Sequence, residues 1–281
     1  MIRKVVVPAA GLGTRLLPAT KEQPKEMLPI FARANDGQWL LKPMIHLIFE
    51  QLHQCGLQQF CFVVGRGKRA IEDYLTPDHN YVEMLRGRNR DTEAKELENL
   101  YVRLKDSTIV WVNQPHPRGF GDAVLTAQPF VGDETFMVHA GDTYVVSQDS
   151  VHLRRLVRTH EKLGSAATFL VQENERPEQY GIVEFESKRG DIYKVKRVVE
   201  KPQRPPSNLA IVAVYIFQPT IFRALQEVRS GRDAELQLTD AIQRLIDMRL
   251  GVYAVRLGRD EIQLDIGNPD TYWRALMLSH Q

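Results

Sequence analysis

The chain has 281 residues, 43% of them hydrophobic and 26% charged, enough for one large α/β domain or two small ones around a sizeable core. Its 37 Lys and Arg nearly balance its 35 Asp and Glu, and a formal net charge of +2 excludes nucleic-acid binding by overall charge. Two cysteines, Cys55 and Cys61, exclude a disulfide framework and a four-cysteine metal site, and no apolar run approaches the roughly 18 residues that span a bilayer. These features, with an N-terminus unlike a signal peptide, point to a cytoplasmic protein with no nucleic-acid or membrane partner.

Residues 2–8 read as a short buried strand, followed by a glycine-containing turn over 9–15. Apolar positions at Met44, Ile45, Leu47, Ile48, Leu52 and Cys55 predict a helix over 43–55, closed near Gly56. A strand follows at 60–64, then a helix at 67–75 stopped by Thr76-Pro77. The charged stretch 80–104 reads as one helix, with Leu97, Leu100 and Leu104 on a stripe. Thr108 to Asn113 is a strand, Gln114 to Gly121 a Pro/Gly-rich loop, Asp122 begins a helix, and a strand at 135–139 ends in Ala140-Gly141-Asp142. This alternation predicts a Rossmann-like, mostly parallel central sheet flanked by helices.

The second half changes character. A helix over 150–163 precedes strands at 165–172, 181–186, 193–200 and 210–217, with few helices between them. They should extend the sheet into a smaller, mixed-sheet lobe. Helices follow at 220–228 and 237–250, short strands at 252–257 and 262–266, and a last helix at 270–278. The expectation is one domain over 1–281, with a nucleotide-binding lobe over about 1–145 and a second, sugar-binding lobe over about 146–281. Ligands of such sheets lie beyond the carboxyl ends of the strands.

The turn Ala9-Ala10-Gly11-Leu12-Gly13-Thr14-Arg15 lets backbone N–H groups approach a phosphate, and Arg15 can fork onto phosphate oxygens. It is not a dinucleotide fingerprint, because Leu16 stands where a third glycine is needed, and no Gly-Lys-Ser/Thr makes it a Walker loop. Two prolines stiffen Pro24-Lys25-Glu26-Met27-Leu28-Pro29. Lys25 there can neutralise the same polyphosphate, although on its own it reads more readily as a solvated lysine. The basic loop Gly65-Arg66-Gly67-Lys68-Arg69 reads either as an attractor of phosphates or as a solvated helix start. The eight histidines show no metal-ligand spacing.

The run from Ala9 to Pro29 closely resembles the signature of the sugar-1-phosphate nucleotidyltransferases, and in particular of their uridylyltransferases. The resemblance continues along nearly the whole chain. Gln114 to Ala123 is similar to the family's nucleobase loop, and Gly141-Asp142 to its metal-binding aspartate. Tyr180-Gly181, Glu200-Lys201-Pro202 and Ser207 to Tyr215 are similar to its sugar-phosphate site, and Glu235 to Ile242 and Leu264-Asp265-Ile266-Gly267 complete the set.

The resemblance implies transfer of UMP from UTP to glucose 1-phosphate, giving UDP-glucose and pyrophosphate by direct in-line attack with Mg²⁺. A phosphate monoester is already an anionic nucleophile, so no nucleophilic triad is needed and positioning and charge neutralisation supply the rate. By the same resemblance, Ala10, Gly11 and Gly13 would contact the nucleotide by backbone, and Arg15 and Lys25 would be the catalytic cations on the triphosphate. Gln114 and Gly119 would read the pyrimidine edge. Asp142 and Asp265 would hold the metal. Gly181, Glu200, Lys201 and Tyr215 would form the sugar-phosphate site.

Plainer roles compete: a turn residue for Asp265, an exposed strand-end pair for Glu200 and Lys201, packing for Tyr180 and Tyr215. The family's assemblies imply a homodimer or homotetramer, and Trp39, Leu40 and Leu41 in the long 31–42 segment offer apolar surface for a subunit contact. The alternatives are a thymidylyltransferase making dTDP-glucose, suggested by Gly141-Asp142-Thr143, and a catalytically silent nucleotide-sugar sensor, which the presence of Arg15, Lys25 and Asp142 disfavours.

Overall fold

A computed structural model of the protein describes residues 2–34, 36–228 and 235–280. Among them the strands are β1 (Lys4–Pro8), β2 (Pro29–Arg33), β3 (Trp39–Pro43), β4 (Gln59–Val64), β5 (Thr108–Asn113), β6 (Phe136–His139), β7 (Thr143–Val146), β8 (Ala167–Glu173), β9 (Gly181–Arg189), β10 (Ile192–Glu200), β11 (Leu209–Phe217), β12 (Val252–Arg256) and β13 (Ile262–Asp265). Nine of these form one sheet in the order β5-β4-β1-β6-β11-β8-β12-β10-β9.

The Val5-Val6-Val7 run is apolar without alternation because β1 is covered on both faces. Val5 and Val7 join Phe60, Phe62 and Met137 in one cluster, while Val6 joins Cys61, Val63 and Val138 in the other. Helices Met44–Gln54, Asp91–Lys105 and Val151–Leu163 bury Ile45, Ile48, Leu100, Leu153 and Leu156 on the first face. Helices Phe120–Thr126, Thr220–Glu227 and Leu238–Asp247 bury Val124, Phe222, Leu225, Ile242 and Leu245 on the second. Each such side chain contributes about 1.5–3 kcal/mol of burial.

The parallel order holds across β5, β4, β1 and β6. Beyond β6 the sheet is mixed: β11 runs antiparallel to both β6 and β8, β12 is parallel to β8, and β10 and β9 close the edge antiparallel. The second half therefore extends the same sheet, as its strand-rich sequence implies. Because β1, β4, β5 and β6 are parallel, their carboxyl ends lie together, and the segments leaving them converge on one edge.

The structure departs from the sequence-based expectation at one place and adds elements at two more. The charged stretch 80–104 is two helices, His79–Gly87 and Asp91–Lys105, broken where Asn89 takes φ 58°. Asparagine tolerates that left-handed conformation, and an Arg86–Glu98 ion pair at 2.6 Å ties the halves. The 31–42 segment is mostly a hairpin, with Phe31 opposite Leu41 and Arg33 opposite Trp39. Trp39 stacks on His280 of its own chain at 4.7 Å, the Arg33 guanidinium lies 4.0 Å from its ring, and Leu41 is exposed. The third is β7, which pairs with β13 and was hidden behind Asp142 in a stretch too short to show a period. No helix of the described residues is long and apolar enough to cross a membrane.

Candidate active site

A cleft of about 320 Å³ opens at the carboxyl ends of the parallel strands. Ala10, Gly11, Gly13, Arg15, Lys25, Gln114, Gly119 and Asp142 all line it, although they come from four separate segments. β1 delivers the glycine turn, which is pinned where the Ala9 N–H donates to the Val63 carbonyl at 2.8 Å. Thr20 Oγ1 donates to the Gly13 carbonyl at 2.7 Å and closes the turn from below. Arg15 sits exposed on the short helical turn Thr14–Leu16 at the rim.

Lys25 reaches back to this turn. A Cβ added to Gly11 would meet Lys25 Nζ at 3.8 Å. The ammonium is hydrogen-bonded to the Asp142 carboxylate. Burial alone would pull the Lys25 pKa down, but Asp142, Glu26 and Asp265 outweigh it and hold it above its ordinary value. Lys25 is therefore a permanent cation in a half-enclosed site.

Asp265 comes to the same place by strand pairing: it lies opposite Thr143, and the Ile266 N–H donates to the Asp142 carbonyl at 3.2 Å. Burial opposes ionisation of both aspartates. At Asp142 the neighbouring Lys25 overcomes it and the pKa is lowered. At Asp265 burial is reinforced by the Asp142 charge, and the carboxyl is pushed up to about 6. Two interacting carboxylates thus share one lysine, an arrangement short of positive charge and fit for a hard divalent cation. Among the described residues no group of three or more His, Cys, Asp or Glu is placed to hold a metal. The protein would supply two carboxylates and leave the remaining positions to phosphate oxygens and water, as Mg²⁺ prefers.

The 114–121 loop is locked from two sides. The Gln114 N–H donates to the Val64 carbonyl at 2.7 Å, holding the end of β5 against β4. Gln114 Nε2 donates to Asp122 Oδ2 at 2.7 Å and to the Gly119 carbonyl at 3.3 Å. A carboxylate and a carbonyl only accept, so this end of the amide must be the NH₂ group, and Oε1 is left as an acceptor. Gly119 is required: its φ is 103°, and a Cβ there would meet the Leu236 carbonyl at 2.8 Å. That contact follows from the segment before helix Leu238–Asp247, whose Leu236 exchanges backbone hydrogen bonds with Arg118 and Gly121 at 2.7 and 2.9 Å.

Gly181, Glu200, Lys201 and Tyr215 form a second group that does not line the 320 Å³ cleft. Glu200 ends β10 opposite Gly181 at the start of β9. Thr239 Oγ1 donates to Glu200 Oε2 at 2.8 Å, and Lys201 Nζ lies 3.2 Å from Oε1. Lys201 takes φ 40° while its N–H donates to the Tyr180 carbonyl at 3.0 Å, so a strained backbone aims this lysine. Tyr215 is buried, and burial with the nearby Glu200 charge raises its pKa, so the phenol stays protonated and a donor. Two aromatic residues connect the groups. Phe120, at the start of helix Phe120–Thr126, lies 6.3 Å from Tyr215, and Tyr180 feels both Asp265 and Arg15. Asp265 and Tyr180 also line a neighbouring cavity of about 710 Å³.

The sequence singles out neither Asp122, Thr239 nor Glu26 as a site residue, and places Lys68 only in a basic loop open to phosphate or solvent. Asp122 sits eight positions from Gln114 inside a recognised loop, a signal that was available. Thr239 acts on a residue 39 positions away, which no local pattern reveals.

The geometry agrees with what known proteins resemble. Residues 4–281 match the family model described as nucleotidyl transferase. The chain is 40% identical over 255 residues to the UTP–glucose-1-phosphate uridylyltransferase of Bacillus subtilis, covering 88% of this chain and 82% of that protein. The crystal structure of a UDP-glucose pyrophosphorylase complexed with UDP-glucose superimposes with a TM-score of 0.84 at 32% identity, covering 100% of this chain and 99% of the other. A UTP-bound UGPase from Acinetobacter baumannii also gives 0.84, at 29% identity, covering 99% and 93%.

Proposed function

The chain belongs to the nucleotidyl transferase family, and from that premise we propose that it transfers UMP from UTP to glucose 1-phosphate, giving UDP-glucose and pyrophosphate. The observation that carries this is Lys25, held against the glycine turn and bonded to Asp142, with Asp265 brought alongside. A phosphate oxygen of glucose 1-phosphate attacks the α-phosphorus of UTP. The bond from that phosphorus to the bridging oxygen breaks, and pyrophosphate leaves with the electron pair.

Arg15 and Lys25 hold the triphosphate and stabilise charge that gathers on the leaving group. Gln114 Oε1 accepts from the N3–H of uracil, and Gly119 lets the base approach the backbone. Glu200 accepts from the sugar hydroxyls while Lys201 holds the sugar phosphate, and Gly181 and Tyr215 shape the pocket. Members of this family generally use a divalent metal. We take it to be Mg²⁺; Asp142 and Asp265 would hold it, and it would supply charge neutralisation at the phosphates. Both cysteines are free thiols, which suits the reducing cytoplasm in which we place the reaction.

The test is pyrophosphate release with UTP, dTTP or CTP against a panel of sugar 1-phosphates. UTP with glucose 1-phosphate should be the best pair, and absence of release with that pair would overturn the assignment. Asp142→Asn keeps the shape but loses the charge, and turnover should fall by about 10²-fold or more. Asp265→Asn should move the Mg²⁺ titration to higher concentration; an unmoved titration would leave Asp265 as a turn residue.

Glu200→Gln removes a charged acceptor worth roughly 1.5–3 kcal/mol. The KM for glucose 1-phosphate should rise roughly ten- to a hundred-fold, with that for UTP changing little. Thr239→Val, which removes only the donor that aims Glu200, should move the same constant in the same direction by less. Unaltered glucose 1-phosphate kinetics in Glu200→Gln would take the carboxylate out of the site.

A further inference from the structure

We propose that the buried Glu26–Lys68 ion pair is a positioning device for Lys25, locking the lysine turn and the Asp142 loop into one geometry. The inference rests on the role given to Lys25 above. Lys68 Nζ lies 2.8 Å from Glu26 Oε2, and the two side chains are only 7% and 1% exposed. Lys68 is thus the one residue of the basic 65–69 loop that turns inward to a buried carboxylate 42 positions away.

Three segments meet at this pair. Glu26 follows Lys25 within the single helical turn Lys25–Met27, so fixing one side chain fixes the backbone that aims the other. The Glu26 side chain runs directly under the residue before Asp142, where a Cβ added to Gly141 would meet Glu26 Cγ at 3.1 Å. Lys68 belongs to a loop wedged beside the nucleotide segments. A Cβ on Gly65 would meet the Gln114 and Ala10 carbonyls at 3.4 and 3.5 Å, and the Lys68 N–H donates back to the Gly65 carbonyl at 3.3 Å. The pair therefore ties Lys25, Asp142 and the floor of the cleft to one another.

Stability alone does not account for burying these charges. An apolar pair of similar volume is commonly as stable or more so. What an ion pair adds is direction: a carboxylate fixed by a lysine has one low-energy placement, whereas a methyl group has several. There is a second effect. Unpaired, the Glu26 carboxylate beside Lys25 would compete for its ammonium. With Lys68 bonded to Glu26, the hydrogen bond of the Lys25 ammonium goes to Asp142.

The experiment uses the full chain and three variants. Lys68→Met should lower kcat by about 10- to 100-fold, the scale of a displaced catalytic group, with the KM for glucose 1-phosphate within about threefold. The double variant Glu26→Gln with Lys68→Met removes both buried charges. It should regain the thermal midpoint of the wild type while kcat stays low. If Lys68→Met does not fold, the double variant decides, since it carries no unpaired buried charge. A double variant that recovers kcat along with its midpoint overturns the inference, because the pair then serves stability alone. So does a folded Lys68→Met with wild-type kcat. Lys25→Ala, run alongside, separates the two levels. If it is crippled while the pair variants are not, only the positioning role fails; if it turns over normally, the role of Lys25 fails and this inference with it.

Discussion

Lys25→Ala is expected to lower turnover by about 10²- to 10³-fold, the effect of removing one preorganised charge from a developing anion, while the protein stays folded. The size of the effect follows from where the ammonium sits. It is bonded to Asp142, lies beside the glycine turn, and is held charged by three carboxylates. It cannot be replaced by bulk cations in that half-enclosed position. The leaving pyrophosphate gains charge as the reaction proceeds, so the interaction is stronger in the transition state than with bound UTP. The loss should therefore fall mainly on kcat rather than on the KM for UTP. Arg15→Ala should also lose turnover, although its exposed position at the rim exposes it to screening by salt. Steady-state kinetics at saturating substrate, with circular dichroism to verify the fold, checks both. Near-normal kcat in Lys25→Ala would leave the cleft without its central cation.

Most of the sheet was legible because burial on both faces leaves a simple mark. β1, β4 and β6 are short apolar runs bounded by Gly, Pro or Asp, and their pairing partners follow from the alternation with helices. The hairpin β2–β3 was not legible, because Lys42 and Arg33 interrupt any period of two and Trp39 is satisfied by stacking on His280 from the far end of the chain. The break at Asn89 was hidden for a related reason: no proline marks it, and helix-forming charged residues flank it on both sides.

The site divides in the same way. Gly11, Arg15, Lys25, Gln114 and Asp142 lie in contiguous motifs, so their identities could be read in order and the cleft gathers them. What the sequence does not carry is which partner each side chain takes. Lys68 reads as part of a loop open to phosphate or solvent because its acid lies in another segment, and Asp265, on a strand the sequence does show, depends on pairing with β7, which it does not. Long-range polar contacts have no periodicity, and they are where folding information exceeds local pattern.

Beneath the hairpin lies the clearest case, and it gives the largest expected stability effect. Lys42 Nζ is 3.2 Å from Glu50 Oε2 and 2.6 Å from Glu96 Oε2, with its side chain only 9% exposed. Arg103 and His46 close on Glu50 Oε1 at 3.1 and 3.2 Å, and His46 Nδ1 is 2.7 Å from the Tyr74 hydroxyl. Burial pushes the Glu50 carboxyl up, but His46, Lys42 and Arg103 together overcome it and hold the pKa at about 2. Lys42→Met would leave the buried Glu96 without its lysine and take one of three cationic partners from Glu50, which should destabilise the fold by about 3–5 kcal/mol and lower Tm by roughly 6–15 °C. The pH dependence identifies the cause. A depressed carboxylate gives stability that is fully present above its unfolded value near 4.5 and is lost as pH falls toward 2. In the variant the Glu50 carboxyl, short of one cation, takes up a proton more readily, so the gap between variant and wild type should be widest near pH 7 and narrow below about pH 4.5. Denaturant melts at both pH values measure this. A gap that stays constant would mean that Lys42 contributes packing by its methylene stem and not charge. The consequence reaches the cleft, because the Met44 N–H, just past the hairpin, donates to the Leu28 carbonyl at 3.1 Å, at the end of the turn that carries Lys25.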